Sequence, residues 1–222
     1  MLSLDKVQVS IEGVRVLRDV SCDIVEGKTT VLIGRNGAGK TTTLRAIMGL
    51  VSLDGGAIHL DADDLVSSPA HHRAQAGIGY APEDRRLVAE LNVEENIRLP
   101  ALALKLTKME TKRRLDEVYT LLPQLNVLRE RPGGGVSGGQ GKMVALGRAL
   151  MVARKVLLLD EPFQGLAPAL ALDYARTLGE LRTHRPELAL LITESSPALL
   201  DKIAERTLQI ERGEILAGSA EG

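Results

Sequence analysis

The run Gly34-Arg35-Asn36-Gly37-Ala38-Gly39-Lys40-Thr41-Thr42 is the stretch of this sequence best suited to chemistry. Glycines let consecutive backbone N–H groups converge on an anion, and a helix starting at its end adds the positive pole of its dipole. The spacing Gly34, Gly39, Lys40, Thr41 is that of a phosphate-binding P-loop. In that reading Lys40 reaches the β- and γ-phosphates and the Thr41 hydroxyl ligates Mg²⁺. The nucleotide contacts expected from it are Gly34, Asn36, Gly37, Ala38, Gly39, Lys40, Thr41 and Thr42.

A second run, Val156-Leu157-Leu158-Leu159-Asp160-Glu161, supplies the other half of such a site. A buried strand ending in a carboxylate puts Asp160 at the edge of a sheet, beside the metal. Glu161, one residue on, is placed to polarise water as a general base. Alone, an apolar run ending in acids is a common strand cap. Beside a P-loop it implies Mg²⁺-dependent ATP hydrolysis, with ATP and Mg²⁺ as cofactors.

Such a pair needs a sheet to hold it, and the rest of the chain predicts one. The β-branched run Thr29 to Ile33 stops at Gly34 and reads as a strand buried on both faces. A helix is expected over Thr41 to Leu50, from apolar residues at Leu44, Ile47 and Met48. Two further buried strands, Val156–Leu159 and Leu188–Ile192, are separated by a helical stretch from Ala169 to Arg182. Apolar strands alternating with helices imply a parallel sheet. Before it, residues 1–30 alternate in short bursts punctuated by Gly13 and Gly27, as antiparallel strands do, and Ala57–Leu60 is another short strand candidate. From about 84 to 153 the chain turns Leu-, Glu-, Lys- and Arg-rich with apolar residues three and four apart. That segment reads as an inserted helical subdomain, broken at Pro123 and Pro132.

Composition narrows the function classes. With 222 residues, 44% of them hydrophobic and a net charge of −1, the chain fits one domain carrying an insertion. Near-neutral charge and 2% aromatic residues argue against a nucleic-acid partner. A single cysteine, Cys22, excludes a disulfide framework, and its apolar strand position reads as core. No apolar run approaches the roughly 18 residues that cross a bilayer, and Met1 to Lys6 lacks the plan of a secretory signal. The expectation is therefore a cytoplasmic protein that something else must hold if it works at a membrane. His59, His71, His72 and His184 read as solvated residues, and the basic run Lys105, Lys108, Lys112, Arg113, Arg114 as a solvated helix face.

Val136-Ser137-Gly138-Gly139-Gln140 then opens an apolar helix, 97 residues after Lys40 for Ser137 and 23 before Asp160. Here the sequence resembles the ATP-binding cassette (ABC) family, whose signature reads Leu-Ser-Gly-Gly-Gln. The resemblance spans residues 2–217 as a single ABC ATP-binding domain. It implies an α/β fold with a RecA-like P-loop NTPase core, an N-terminal antiparallel β subdomain and an inserted α-helical subdomain. It also implies a head-to-tail dimer in which each ATP lies between Lys40 of one subunit and Ser137, Gly138, Gly139 and Gln140 of the other. Physically the signature is a second anion site at a helix N-terminus.

Pro82-Glu83-Asp84-Arg85-Arg86 stands where the family has its Q-loop, and Gly165-Leu166-Ala167-Pro168 where it has its D-loop. These versions look like the LivF-type ATPase of branched-chain amino acid importers, and urea and short-amide importers are similar. The implied partners are a second cassette, identical or a sister, two membrane permeases and, indirectly, an extracytoplasmic solute-binding protein, at the cytoplasmic face of the cell membrane. A soluble cassette of DNA repair or translation and a non-hydrolysing regulatory subunit are the alternatives. Three departures bear on the site. Glu83 replaces the usual glutamine and can still ligate Mg²⁺. Glu194 aligns with the histidine that contacts the γ-phosphate, where its charge would slow hydrolysis. Ile11 aligns near the aromatic that stacks on adenine, so Ile11 or Val16 would pack on the base.

Overall fold

The computed structural model describes residues 1–196, 198–201 and 203–216. Residue 217, the expected domain end, lies outside them. Two sheets organise the chain. The first pairs β1 (Leu2–Ile11) and β2 (Val14–Ile24) with β4 (Gly55–Leu60) and the short β5 (Asp63–Asp64), all antiparallel, in the order β2-β1-β4-β5. The β1–β2 hairpin turns on Glu12 and Gly13, both at positive φ (50° and 79°), the geometry of a two-residue turn that suits right-handed strand twist.

The second sheet runs β10-β9-β3-β8-β7-β6, where β3 is Thr29–Ile33, β6 Ile78–Ala81, β7 Val156–Asp160, β8 Ala189–Glu194, β9 Arg206–Glu211 and β10 Glu214–Ile215. From β9 to β6 every pairing is parallel, and only β10 turns back antiparallel. Its central strands are buried on both faces, which explains why β7 and β8 are continuous apolar runs. Register matters most at the carboxyl ends: Ile33 pairs with Glu194, Asp160 with Thr193, and Ala81 with Leu159. Four chain segments therefore leave the sheet at one edge, the place where parallel sheets bind ligands.

Helix α1 (Lys40–Ile47) follows β3 and packs into the core between the two sheets, and α2 (His72–Gln75) is one short turn. Val93 to Leu150 carries α3 (Val93–Ala103), α4 (Lys108–Leu121), α5 (Pro123–Leu128), a 3₁₀ turn over Gly133–Gly135 and α6 (Gly138–Leu150), with no strand among them. Pro123 opens α5 at its first position, whereas Pro100 sits inside α3, a proline the sequence pattern did not mark. Asn96, fully buried, holds the loop before α3 by bonding the backbone of Val88, Leu91 and Asn92. Helix α7 (Pro168–His184) returns the chain to β8. The sequence reading omits β5, β6, β9 and β10. β5, β6 and β10 are short, and β9 alternates polar with apolar residues instead of presenting a continuous apolar run. Cys22 is half-buried and packs against the core beneath the antiparallel sheet.

Candidate functional site

The loop after β3 is built from glycine where nothing else fits. A Cβ on Gly34 would lie 2.4 Å from the backbone oxygen of Ile210, and Gly39 caps α1 at φ 113°. No side chain caps α1, and no acceptor among the described residues takes the amide hydrogens of Gly37, Gly39, Lys40, Thr41 or Thr42. Those donors are the ones an anion at a helix N-terminus would take.

Lys40 is buried and folded back over the loop. Its Nζ donates to the carbonyls of Gly34 (2.7 Å) and Arg35 (3.1 Å) and to Ser195 Oγ (3.3 Å), and pairs with Glu161 Oε1 at 3.0 Å. Asp160 is likewise fully engaged. Oδ1 accepts from Thr41 Oγ1 (3.0 Å) and Thr193 Oγ1 (2.9 Å), and Oδ2 from the Tyr80 hydroxyl (3.2 Å). Burial and then the Asp160 charge push the Tyr80 phenol upward, so it remains a donor. Glu161 sits in the left-handed region at φ 42°, held by its amide donating to the carbonyl (3.1 Å) and Oγ1 (3.2 Å) of Thr193. A buried non-glycine residue in that region is the kind of strain that functional sites retain.

A cavity of about 310 Å³ opens beside these groups, lined by Val16, Gly37, Lys40, Thr41, Glu83 and Glu161 among others. Val16 thus reaches the cleft, and Ile11, at the tip of β1 and 40% exposed, does not line it. Glu83, on the loop leaving β6, faces the same space as Thr41. The donor set suits a nucleotide with its cation: free amides and an ammonium for phosphate oxygens, and the Thr41 hydroxyl and Asp160 carboxylate as hard oxygen donors that would hold Mg²⁺. A larger cavity of about 430 Å³, between α4 and the end of α7, lies elsewhere. Its arginines Arg113, Arg114 and Arg185 are already bonded to Glu110, Glu117 and Glu187 and to the carbonyls of Met151 and Ala153.

Glu194 requires a correction. Its carboxylate turns away from the loop and accepts the Phe163 amide at 3.0 Å. Burial raises its pKa, that hydrogen bond opposes the rise, and the nearby Glu161 charge adds to it. The next residue faces the loop instead: Ser195 Oγ lies 3.1 Å from Asn36 Oδ1 and 3.4 Å from Glu161 Oε1. Side chains alternate along a strand, so a one-residue slip exchanges the two. Sequence reading also missed Thr193 and the hydroxyl bond from Tyr80. The sequence signal for Thr193 was weak, because it follows the apolar run 188–192 and precedes Glu194 at the end of β8.

Ser137, Gly138, Gly139 and Gln140 lie apart from the Lys40 cavity, none of them among its lining. They open α6 with a capping box, in which Ser137 Oγ accepts from the Gln140 amide (3.3 Å) and Gln140 Oε1 from the Ser137 amide (3.0 Å). Gly138 instead borders a neighbouring 290 Å³ cavity with Arg85 and Lys142, which shares Glu83 and Gln164 with the Lys40 cleft.

The family model described as ABC transporter matches residues 17–164. The chain belongs to the ABC transporter family. The cassette is an ATPase and binds ATP with Mg²⁺. It is 36% identical over 216 residues to the high-affinity branched-chain amino acid transport ATP-binding protein BraG of Pseudomonas aeruginosa, covering 97% of this chain and 91% of that one. It is 35% identical over 208 residues to the lipopolysaccharide export system ATP-binding protein LptB of Escherichia coli K12, covering 93% and 85%. Among solved structures, the ATP-binding cassette MJ1267 superposes with a TM-score of 0.85 at 27% identity, over 100% of this cassette and 92% of that chain. Cassettes of this family work as dimers with membrane permease partners, and no helix among the described residues of this one is long and apolar enough to cross a membrane.

Proposed function

We propose that this cassette drives an importer of branched-chain amino acids or a related small solute, from the cytoplasmic face of the membrane. The observation that carries the ATPase half is the convergence of Lys40, the Thr41–Asp160 pair and Glu161 on one cleft at the carboxyl edge of the sheet. In this reading Gly34, Asn36, Gly37, Ala38, Gly39, Lys40, Thr41 and Thr42 cradle the phosphates, and Val16 packs near the base. Thr41, Asp160 and Glu83 hold Mg²⁺, which neutralises charge on the phosphates. Glu161 takes the proton of the attacking water. Ser137, Gly138, Gly139 and Gln140 stand free of their own cavity to close over the nucleotide of a second cassette, identical or a sister.

The import half is supported by the Pro82-Glu83-x-Arg85-Arg86 and Gly165-Leu166-Ala167-Pro168 versions of the loops and by the similarity to BraG. Two permeases and an extracytoplasmic solute-binding protein complete that assembly. The similarity to LptB favours a second reading, export of a lipid-linked glycan. Uptake of labelled leucine by cells lacking the cassette, complemented with wild type or Glu161→Gln, separates the two. The import reading expects wild type alone to restore uptake. Uptake unaffected by loss of the cassette contradicts it.

A further inference from the structure

One side chain ties the helix of the signature turn to the strained glutamate of the nucleotide cleft. Lys142, in the second turn of α6, donates from Nζ to the backbone carbonyl of Glu161 at 2.5 Å. The other groups that hold Glu161 all belong to the sheet edge or its own loops: Thr193 takes its amide, Lys40 its carboxylate, and the Gln164 amide donates to its carbonyl. Among the described residues, Lys142 is the tie to Glu161 that comes from the helical segment 93–150. A second contact joins the same parts, because a Cβ on Gly139 would lie 2.7 Å from Leu170 Cδ1 and 3.3 Å from Leu166 Cδ2. Helix α6 therefore rests directly on the chain that follows Glu161.

The chemistry of the tie calls for a cation. Burial works against the charged form of Lys142, and Glu194, Glu83 and Glu161 attract it. A charge-assisted bond is the stronger kind, and it offsets the acids that crowd this end of the sheet. A residue in the left-handed region holds its side-chain direction only while its backbone is pinned on both sides.

We propose that Lys142 is a positioning residue: it couples the signature turn at the start of α6 to the backbone of Glu161, so that displacement of one is felt by the other. This rests on the reading of Glu161 as the group that activates water. Because the signature turn faces the nucleotide of the second cassette in that reading, the tie runs between the two sites of a dimer.

The test uses the full chain assembled with its partners and measures kcat, KM for ATP, nucleotide affinity and Tm for Lys142→Met and Lys142→Arg. Lys142→Met is expected to lower kcat about tenfold or more, as small misplacements of catalytic groups do, while nucleotide affinity stays within about twofold. Lys142→Arg restores most of the rate. In a Glu161→Gln background Lys142→Met adds no further loss, because it acts through Glu161. Wild-type kcat in Lys142→Met overturns the proposal. So does a further loss on top of Glu161→Gln, or an equal fall in affinity, Tm and rate that arginine does not repair. If Glu161→Gln itself turns over normally, the reading of Glu161 fails and this inference with it. If Glu161→Gln is inactive and Lys142→Met normal, only the inference fails.

Discussion

The ammonium of Lys40 lies 3.0 Å from Oε1 of Glu161, with 3% and 8% of the two side chains exposed. Each charge thereby neutralises the other inside a site where neither meets much water. A triphosphate entering the loop competes for Lys40, and the carboxylate it gives up is the one placed to act on water. Binding and readiness for hydrolysis are linked through this one contact.

Removing one partner of a buried pair leaves the other charge stranded, at a cost of about 3 kcal/mol. Lys40→Met should therefore lower the stability of the nucleotide-free protein by about that amount in urea unfolding. Adding Glu161→Gln to it should recover a good part of the loss. Simple additivity of the two substitutions would mean that the pair contributes no coupling.

Gly34 and Gly37 should respond differently to alanine. At Gly34 the new methyl meets the backbone oxygen of Ile210 at 2.4 Å, which only a shift of β9 relieves, so Gly34→Ala should cost about 3 kcal/mol. At Gly37 the space is open and only the positive φ of 81° is penalised, at about 1 kcal/mol. Unfolding midpoints of the two variants check the order.

The phosphate loop, the Asp160-Glu161 strand end and the signature turn were legible because each combines residue types with a spacing that chemistry demands. The central strands were legible for a simpler reason, since burial on both faces writes itself as an apolar run. What could not be read were contacts set by register. Ser195 rather than Glu194 faces Lys40 because of strand parity, and Lys142 reaches Glu161 only once α6 packs beside β7. The edge strand β6 was missed because four residues carry too little pattern, and β9 because it alternates polar with apolar residues where its neighbours are continuous apolar runs.

Glu194 and Ser195 should separate in their effects. Burial holds the Glu194 carboxyl above its ordinary range. An acid whose pKa is raised on folding adds stability below its unfolded pKa, and that contribution is lost as pH rises through the folded value. Glu194→Gln keeps an acceptor for the Phe163 amide and removes the charge. Its Tm should exceed that of wild type at pH 7.5, with the gap closing toward pH 4. Its turnover should change by less than about threefold, whereas Ser195→Ala, which removes a partner of Lys40 and Asn36, should lower turnover about tenfold. Reversed magnitudes would return Glu194 to the reaction.

Burial pushes the Cys22 thiol up to about 12. At pH 8 the thiolate fraction is then roughly one in ten thousand, against about a quarter for an unfolded cysteine. Iodoacetamide should label the native protein at least a hundredfold more slowly than the protein in urea. Comparable rates would place the thiol in water.

The account stands most directly on Glu161. With Mg²⁺ present, single-turnover cleavage of ATP by the assembled cassette should fall by a factor of about 10² to 10⁴ in Glu161→Gln, with nucleotide affinity at least that of wild type because Lys40 loses its competing carboxylate. Cleavage at the wild-type rate in that variant would contradict the assignment of this cleft as the hydrolytic site.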